Sequence, residues 1–383
     1  MVIRTRFQEM IGTKYPIIQA GMGPYSTTEL CLYSARAGAV GLISTIGMGV
    51  GLSAATPDAA SKVFGKGSPD VLISQAIMKV WEGLKDYPDA VYGVNVPVSY
   101  EFVAVAKRLM RGIVNTIEEH PEIKKKLKVI VTSAGDPLPW AIDAKAKGAK
   151  RPAKYQPKTF HDNIIWCHVV PAVVHAKRSE KADVDIIIAS GHEGGAHIAW
   201  DPVHSMVLLP AVIKAVNKPV VAAGGYCDGR TLAAAIAMGA IGVQMGTRFI
   251  ATKESEFQDI WKQAIVDRDE RGTLVGRGLF GPMRFLRNAQ SIKVVEETLK
   301  SIPEVFLGKP MESTSEIMKL ELEGMAHLFE GDVENSIILG GEVTGRIDSI
   351  PTIKDLVEGI MTEAEEIIKT LPEKVIAKVI KAS

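Results

Sequence analysis

Apolar residues gather along this chain in short unbroken runs instead of alternating with polar ones. Eight runs stand out: residues 16–20 (PIIQA), 40–44 (VGLIS), 91–96 (VYGVNV), 128–133 (KVIVTS), 164–170 (IIWCHVV), 184–190 (VDIIIAS), 219–223 (PVVAA) and 242–246 (GVQMG). A strand that is apolar on both faces has to be buried on both, which is the condition of a parallel sheet covered by helices. Helix-like stretches separate the runs. Residues 27–37 have Ser26 and Thr27 as candidate caps, carry Glu29 in the first turn and stop at Gly38. Residues 230–238, mostly alanine and leucine, stop at Gly239 in the same way. The intervals are long enough for right-handed crossovers. Eight β-then-helix units predict an α/β fold, a closed (β/α)8 TIM barrel.

Two intervals exceed what a barrel needs, so long insertions are expected after strands 2 and 4. The first, residues 46–90, holds a glycine-rich piece (GMGVGLSAATP) before a helical piece around 72–84. The second, residues 136–163, is rich in Pro and Lys. Beyond the eighth strand the pattern reads as mostly helical, with amphipathic segments near 313–328 and 353–371. The expected division is a cofactor-binding barrel at 1–254 and a helical appendage at 255–383 that completes the barrel and covers its mouth.

Composition narrows the partners. With 45 basic and 44 acidic residues the formal charge is +1, which gives no electrostatic reason to expect nucleic acid or a membrane surface. No apolar run is long enough to span a bilayer, and the N-terminus lacks the core of a signal peptide. Cys31, Cys167 and Cys227 form no CxxC pair and no zinc-ligand spacing, so neither a disulfide scaffold nor a metal is expected. The expected setting is the cytoplasm, with a homo-oligomer allowed.

In a barrel the loops after the strands meet at the C-terminal face, so strand ends are where chemistry is sought. The seventh run leads into AAGGYCDG, with Gly224 and Gly225 after Ala223, and the eighth into Gly246 and Thr247. Glycine turns bring backbone N–H groups close to an anion, and the loops after strands seven and eight are a common phosphate site. Tight turns with no ligand are the plainer alternative. The sixth run ends in ASGHEGGAHIA, where Gly194 and Gly195 allow a sharp turn that puts His197, with Glu193 as a further candidate, at the mouth. His197 is the candidate proton donor or acceptor; His192 reads as structural. Asn95 offers both a donor and an acceptor to a heterocycle edge. Ala20, Gly21 and Met22 expose backbone and an apolar side chain to a flat ring, and Ser133 ends its strand among small residues that leave room for a ligand. The glycines at 47–51 do not form GxGxxG, and neither a P-loop nor a GxSxG elbow occurs. The basic run Lys145, Lys147, Lys150, Arg151, Lys154 and Lys158 reads as a solvated loop; the sharper alternative is a docking patch for an acidic or phosphorylated partner.

Several blocks resemble one known family. PIIQAGM with TTEL and AGAVGLIS, then GVN at 93–95, GHEGGAH at 191–197, the long block AAGGYCDGRTLAAAIAMGAIGVQMGTRFIATKES at 222–255, and later GPMRFLRN and GGEVTGRIDSIP are similar to the nitronate monooxygenases, formerly 2-nitropropane dioxygenases. That family includes flavin-dependent enoyl-acyl-carrier-protein reductases and NAD(P)H:quinone reductases. The resemblance implies an FMN barrel. FMN would sit against Ala20, Gly21, Met22, Asn95, Ser133, Gly195, Ala223, Gly224, Gly225, Gly246 and Thr247, with His197 in the catalytic histidine position. Departures exist: Ala196 and Ala199 stand where the family commonly has glycine, Gly21 replaces a proline, and Tyr226 and Cys227 replace aliphatic and small residues. The insertion at 136–163 has no counterpart and is expected to reshape the mouth. The implied activity is oxidation of alkyl nitronates. The alternative is reduction of a quinone or an enoyl-CoA or enoyl-carrier-protein thioester, with NADH or NADPH as electron donor. A flavin-free phosphate-binding barrel and a flavin module without turnover are the readings from other classes.

Overall fold

A computed structural model describes residues 3–48 and 67–375. The expected barrel is present and closed. Strands β1 (Ile17–Gln19), β2 (Val40–Ser44), β3 (Val91–Pro97), β4 (Leu127–Ser133), β5 (Ile165–Val170), β6 (Ile186–Ser190), β8 (Val220–Ala223) and β9 (Gly242–Met245) follow one another around the ring. The ring closes where β9 pairs in parallel with β1, Ile17 opposite Val243 and Gln19 opposite Met245. The strand β7 (Ala196–His197) stands outside it.

Successive side chains on a strand point to opposite faces, so every second residue fills the barrel. Ile18, Val40, Leu42, Val91, Val129, Val131, Cys167, Ile186, Ile188 and Val221 form one interior cluster. Burying each Val or Ile contributes about 1.5–3 kcal/mol. Helix α1 (Arg6–Ile11) closes the foot, with Phe7 and Ile11 in the same cluster. The other strand faces pack outward against α2 (Thr28–Arg36), α3 (Pro69–Gly83), α4 (Val103–Glu119), α5 (Val173–Lys181), α6 (Ser205–Ala215) and α7 (Gly229–Ala237).

The cap of α2 differs from expectation. Thr27 makes no capping bond; its hydroxyl donates to Leu42 O at 2.8 Å and accepts the Ser44 N–H at 3.0 Å, tying the helix start to β2. Glu256, from beyond the last barrel strand, receives the N–H groups of Glu29 and Leu30 instead. For α7 the sequence reading holds at the C-terminal end, where Gly239 lies just past the helix at φ +100°; Asp228, which the reading did not name, caps its start.

Of the insertion after strand 2, residues 49–66, with most of its glycine-rich piece, lie outside the described residues; its helical piece is α3. The insertion after strand 4 is the crossover itself. Two short 3-10 turns (Leu138–Trp140, Pro157–Thr159) replace a helix, and Trp140, Ala141, Ala144 and Phe160 pack into the outer apolar layer. From the end of β4 it runs down the outside of the barrel wall. Lys158 pairs with Asp183 and Asp185 at 2.9 Å each, and His161 meets Leu127 O at 2.8 Å. Asp185 immediately precedes β6 and Leu127 begins β4, so these contacts lie at the foot of the barrel.

Past β9 come α8 (Thr247–Ile250) and α9 (Asp259–Val266), then a β-hairpin that the pattern did not announce: β10 (Thr273–Arg277) and β11 (Pro282–Leu286). It forms a three-stranded antiparallel sheet with β7, Met283 opposite His197. Helices α10 (Ala289–Ser301) and α11 (Ser315–Glu330) back this sheet. Helix α12 (Ile353–Val375) returns to the barrel and packs on α7 and α2. Its buried residues Ile353, Leu356, Val357, Ile360, Met361 and Ala364 keep the spacing of a single helical face.

Candidate active site

The apolar filling of the barrel stops one layer short of the mouth. Two residues beyond Val131, Ile188 and Val221 on the same inward face stand Ser133, Ser190 and Ala223, and Asn95 and Gln244 belong to that face on their own strands. Asn95 Nδ2 donates to Ser133 Oγ at 3.3 Å and Val131 O at 3.4 Å. Gln244 Oε1 is buried without a partner among the described residues. This polar floor has acceptor capacity left over, a costly condition for a buried group with nothing to bind.

The segment after β1 folds over the floor. A Cβ on Gly21 would stand 2.7 Å from Asn95 Cβ, so no larger residue fits that approach. A Cβ on Gly246 would stand 3.2 Å from Met22 Sδ and 3.8 Å from Ala20 Cβ. Ala20, Gly21, Met22, Asn95, Ser133 and Gly246 are thus brought together by direct contacts.

Gly224 and Gly225 have φ of +82° and +83°, the left-handed region that glycine enters without strain. Among the described residues, the N–H groups of Gly224, Gly225, Gly246 and Thr247 donate to no protein acceptor. They follow directly on β8 and β9, whose ends are paired at Ala223 and Gln244. Free N–H groups on two adjoining turns suit an anion. Thr247 Oγ1 accepts the Gly341 N–H at 3.0 Å, and Gly195 lies against the same segment, its Cβ position 2.6 Å from Gly341 N. Gly195 therefore packs behind the turns.

His197 is reached differently. Its backbone belongs to the antiparallel sheet, not to a loose loop, which fixes the ring despite the two flanking alanines. Ala196 occupies φ +61°, a left-handed position that costs a residue with a Cβ about 1 kcal/mol or more. The His197 ring is exposed at the mouth beside the hairpin tip, its centroid 6.1 Å from that of Phe280, and the Gly281 Cβ position 3.8 Å from Cδ2. Phe280 in turn meets Phe102, from before α4, at 4.9 Å. The hairpin tip crowds one side of the accessible ring. Desolvation first, and then the nearby Arg277 cation, hold its pKa down to about 4, so it is neutral at pH 7. Neither ring nitrogen hydrogen-bonds to protein among the described residues. His168 is the contrast: it is buried, with Nδ1 2.8 Å from Thr132 Oγ1 and Nε2 3.2 Å from Gly135 O.

Around His197 the structure adds residues that strand-end reasoning missed. Arg277, itself buried, places its guanidinium 5.3 Å above the Trp200 ring and donates to Met311 O at 2.8 Å. Glu321 of α11, buried beside it, accepts the Leu279 N–H at the hairpin tip, and burial pushes its carboxyl up to about 7. Only the GPMRFLRN block pointed to this hairpin. Glu193 faces the scaffold: its carboxylate accepts the Ser205 N–H at 2.9 Å and the Ser205 hydroxyl at 3.0 Å. His192, read as structural, has a buried Nδ1 without a partner among the described residues, and its carbonyl accepts from Arg284 at 2.9 Å. Within the basic run, Lys147 reaches Ala182 O at 3.5 Å and Lys158 pairs with Asp183 and Asp185, contacts that precede β6 at the foot. Among the described residues no group of His, Cys, Asp and Glu is arranged to hold a metal, and no helix is long and apolar enough to cross a membrane.

Comparison with known proteins follows the same lines. A family profile described as "Nitronate monooxygenase" matches residues 4–363. A (3aS,4S,5R,7aS)-5-hydroxy-7a-methyl-1-oxo-octahydro-1H-indene-4-carboxyl-CoA dehydrogenase of Rhodococcus jostii (strain RHA1) is 29% identical, covering 96% of this chain and 98% of that protein. A probable nitronate monooxygenase of Staphylococcus aureus (strain JH9) is also 29% identical, over 79% of this chain and 83% of its own length. Among solved structures, FabK from Thermotoga maritima superposes with a TM-score of 0.73 at 27% identity, covering 97% of this chain and all (100%) of that one.

Proposed function

The chain belongs to the nitronate monooxygenase family, and from that premise we propose that it is an FMN-dependent oxidoreductase that oxidises alkyl nitronates with oxygen. The observation that carries this reading is the set of unbonded N–H groups at Gly224, Gly225, Gly246 and Thr247 beside a polar floor. The residues fit the cofactor. Those N–H groups would hold the phosphate. Asn95, Ser133 and the unpartnered Gln244 Oε1 would meet the heteroatoms of the ring, with Ala20, Gly21 and Met22 along its face. Ala223 and Gly195 would shape the turn from below and behind. When bound, the flavin supplies the electron sink and, once reduced, reactivity toward oxygen.

The chain's own part is to hold the substrate. A neutral His197 donates one ring N–H to a nitronate oxygen. A base with a pKa of about 4 is poorly matched to taking a carbon-bound proton near neutrality. His197 is therefore better suited to gripping a preformed nitronate than to deprotonating the nitroalkane. The positive field of Arg277 favours that anion over the neutral form. The free, buried Cys31, Cys167 and Cys227 support a reducing cytoplasmic setting.

The test is the visible spectrum of purified protein, followed by turnover of a nitronate under air. A colourless protein that gains no flavin spectrum on adding FMN sinks the proposal.

A second reading keeps the flavin and reverses the use: NADH or NADPH as donor, with a quinone or an enoyl thioester as acceptor and His197 hydrogen-bonded to its carbonyl. The near-complete mutual coverage with a carboxyl-CoA dehydrogenase, against partial coverage of the probable nitronate monooxygenase, favours it. Lys147 and Lys158 of the basic run lend it no support, because their contacts are at the foot. Anaerobic mixing with NADH or NADPH separates the two. Rapid bleaching of the flavin without a nitro compound selects the second.

A further inference from the structure

We propose that Glu193 is a positioning residue that sets the spacing of the two glycine turns, and so the grip on the flavin phosphate. This rests on the reading that those turns take FMN. Glu193 touches the first glycine turn and, through Glu342 and Gly341, reaches the second. Its carboxylate sits at the N-terminus of α6, where a negative charge is favoured, and receives the Ser205 N–H at 2.9 Å. The single hydroxyl proton of Ser205 lies between Glu193 Oε2 at 3.0 Å and Gly224 O at 2.6 Å, which joins the carboxylate to the first glycine turn. Glu193 Cβ packs under the next residue, 3.3 Å from the Gly225 Cβ position. Its carbonyl accepts the Glu342 N–H at 2.9 Å, and the adjacent Gly341 N–H donates to Thr247 Oγ1 on the second turn. One residue thus carries a rigid connection from the β8 turn to the β9 turn.

The surroundings are cut to admit this arrangement. A Cβ on Gly191 would stand 2.0 Å from Ser205 Oγ and 2.3 Å from Glu193 Oε2, so the pair exists only because residue 191 has no side chain. A carboxylate near a phosphate site carries a repulsive cost. Here the Ser205 N–H and hydroxyl and the start of α6 share its charge. Its role is geometric, and glutamine can supply much of the same geometry: the amide oxygen accepts the Ser205 N–H while Ser205 still donates to Gly224.

The test compares FMN with riboflavin, which has the ring and lacks the phosphate. Dissociation constants for both are measured by flavin fluorescence on deflavinated wild type, Glu193→Ala, Glu193→Gln and Ser205→Ala, each first checked for an unchanged melting curve. The expected result is a wild-type preference for FMN that falls at least tenfold in Glu193→Ala. Riboflavin affinity stays within about threefold, Glu193→Gln recovers most of the preference, and Ser205→Ala lies between. A wild type that prefers FMN, with the same preference in Glu193→Ala, overturns the role of Glu193 alone. Equal losses of FMN and riboflavin overturn it as well. A wild type that binds neither flavin overturns the cofactor reading and this inference with it. If Glu193→Ala does not fold, Ser205→Ala and Glu193→Gln carry the comparison, and unchanged FMN preference in Ser205→Ala then counts against the link.

Discussion

At the scale of single residues, His197 is held by its backbone while its ring nitrogens have no protein partner among the described residues. Removing the ring should therefore cost chemistry and little stability. His197→Ala is expected to lower kcat/KM by roughly 10²-fold or more with a small change in melting temperature. With a pKa of about 4, the ring keeps one charge state above about pH 5. A pH profile of kcat/KM from 5.5 to 8 should show no limb near 6.5 from this residue. A limb at 6.5 that disappears in His197→Asn would contradict the neutral-ring role. Glu321 gives the opposite case. Its carboxyl is raised to about 7 by burial, so the folded protein binds a proton more readily than the unfolded chain does. Its contribution to stability is fully present below the ordinary carboxylate pKa and is lost as pH rises toward 7, by roughly 3 kcal/mol. Chemical denaturation of wild type and Glu321→Gln at pH 5 and pH 8 checks the sign. The wild type should lose more on going to pH 8 than the variant.

At the scale of elements, the glycine turns are the most sharply tested. Gly224→Ala combines a φ of +82° with a Cβ position 2.5 Å from Gly191 O, so backbone must move. The expected loss is about 2 kcal/mol or more of stability, read by urea midpoint, together with weakened FMN binding. A variant as stable as wild type would show that the turn is softer than its geometry implies. Elements also mark what could be read from the chain. The eight barrel strands were legible because burial on both faces leaves continuous apolar runs, and their ends exposed Asn95, Ser133 and the turns. The hairpin β10–β11 was not. Thr273–Arg277 and Pro282–Leu286 are five residues each and lack clean alternation, because Arg277 and Arg284 are buried through specific partners that no periodicity encodes. The same limit hid Glu256 as the cap of α2, since a contact spanning 227 positions leaves no local trace. The insertion after strand 4 was legible as long and basic. That it runs down the barrel wall depended on Trp140 and Phe160 finding the outer layer.

At the scale of the whole molecule, the wall of the barrel is finished from both ends of the sequence. Helix α12 lies against α7 and α2, and the Ile3 N–H donates to Glu365 at 3.0 Å. A chain ending at residue 352 should lack a buried face of six residues, from Ile353 to Ala364, and lose cooperative unfolding in circular dichroism. A sharp, wild-type-like transition in that truncation would show that α12 is dispensable. At the foot, Asp183 is held near a pKa of about 2, its burial outweighed by Lys218 and Lys158. That stability is present above the ordinary carboxylate range and fades as pH falls toward 2. It is modest because Asp183 is about half exposed.

The pairing of β1 with β9 has a consequence for synthesis. A ribosome delivers the first strand long before the strand that seals its free edge, and Ile3 waits 362 positions for Glu365. Until then the nascent chain holds a half-ring whose apolar edge is open to any neighbouring strand. Closure is thus late and stepwise: the ring can seal once β9 has emerged, and the wall helix α12 follows more than a hundred residues behind it. Contacts of such long range make folding slow. Overexpressed protein should accordingly depend on temperature and chaperone supply, and should be lost to aggregates mostly before release.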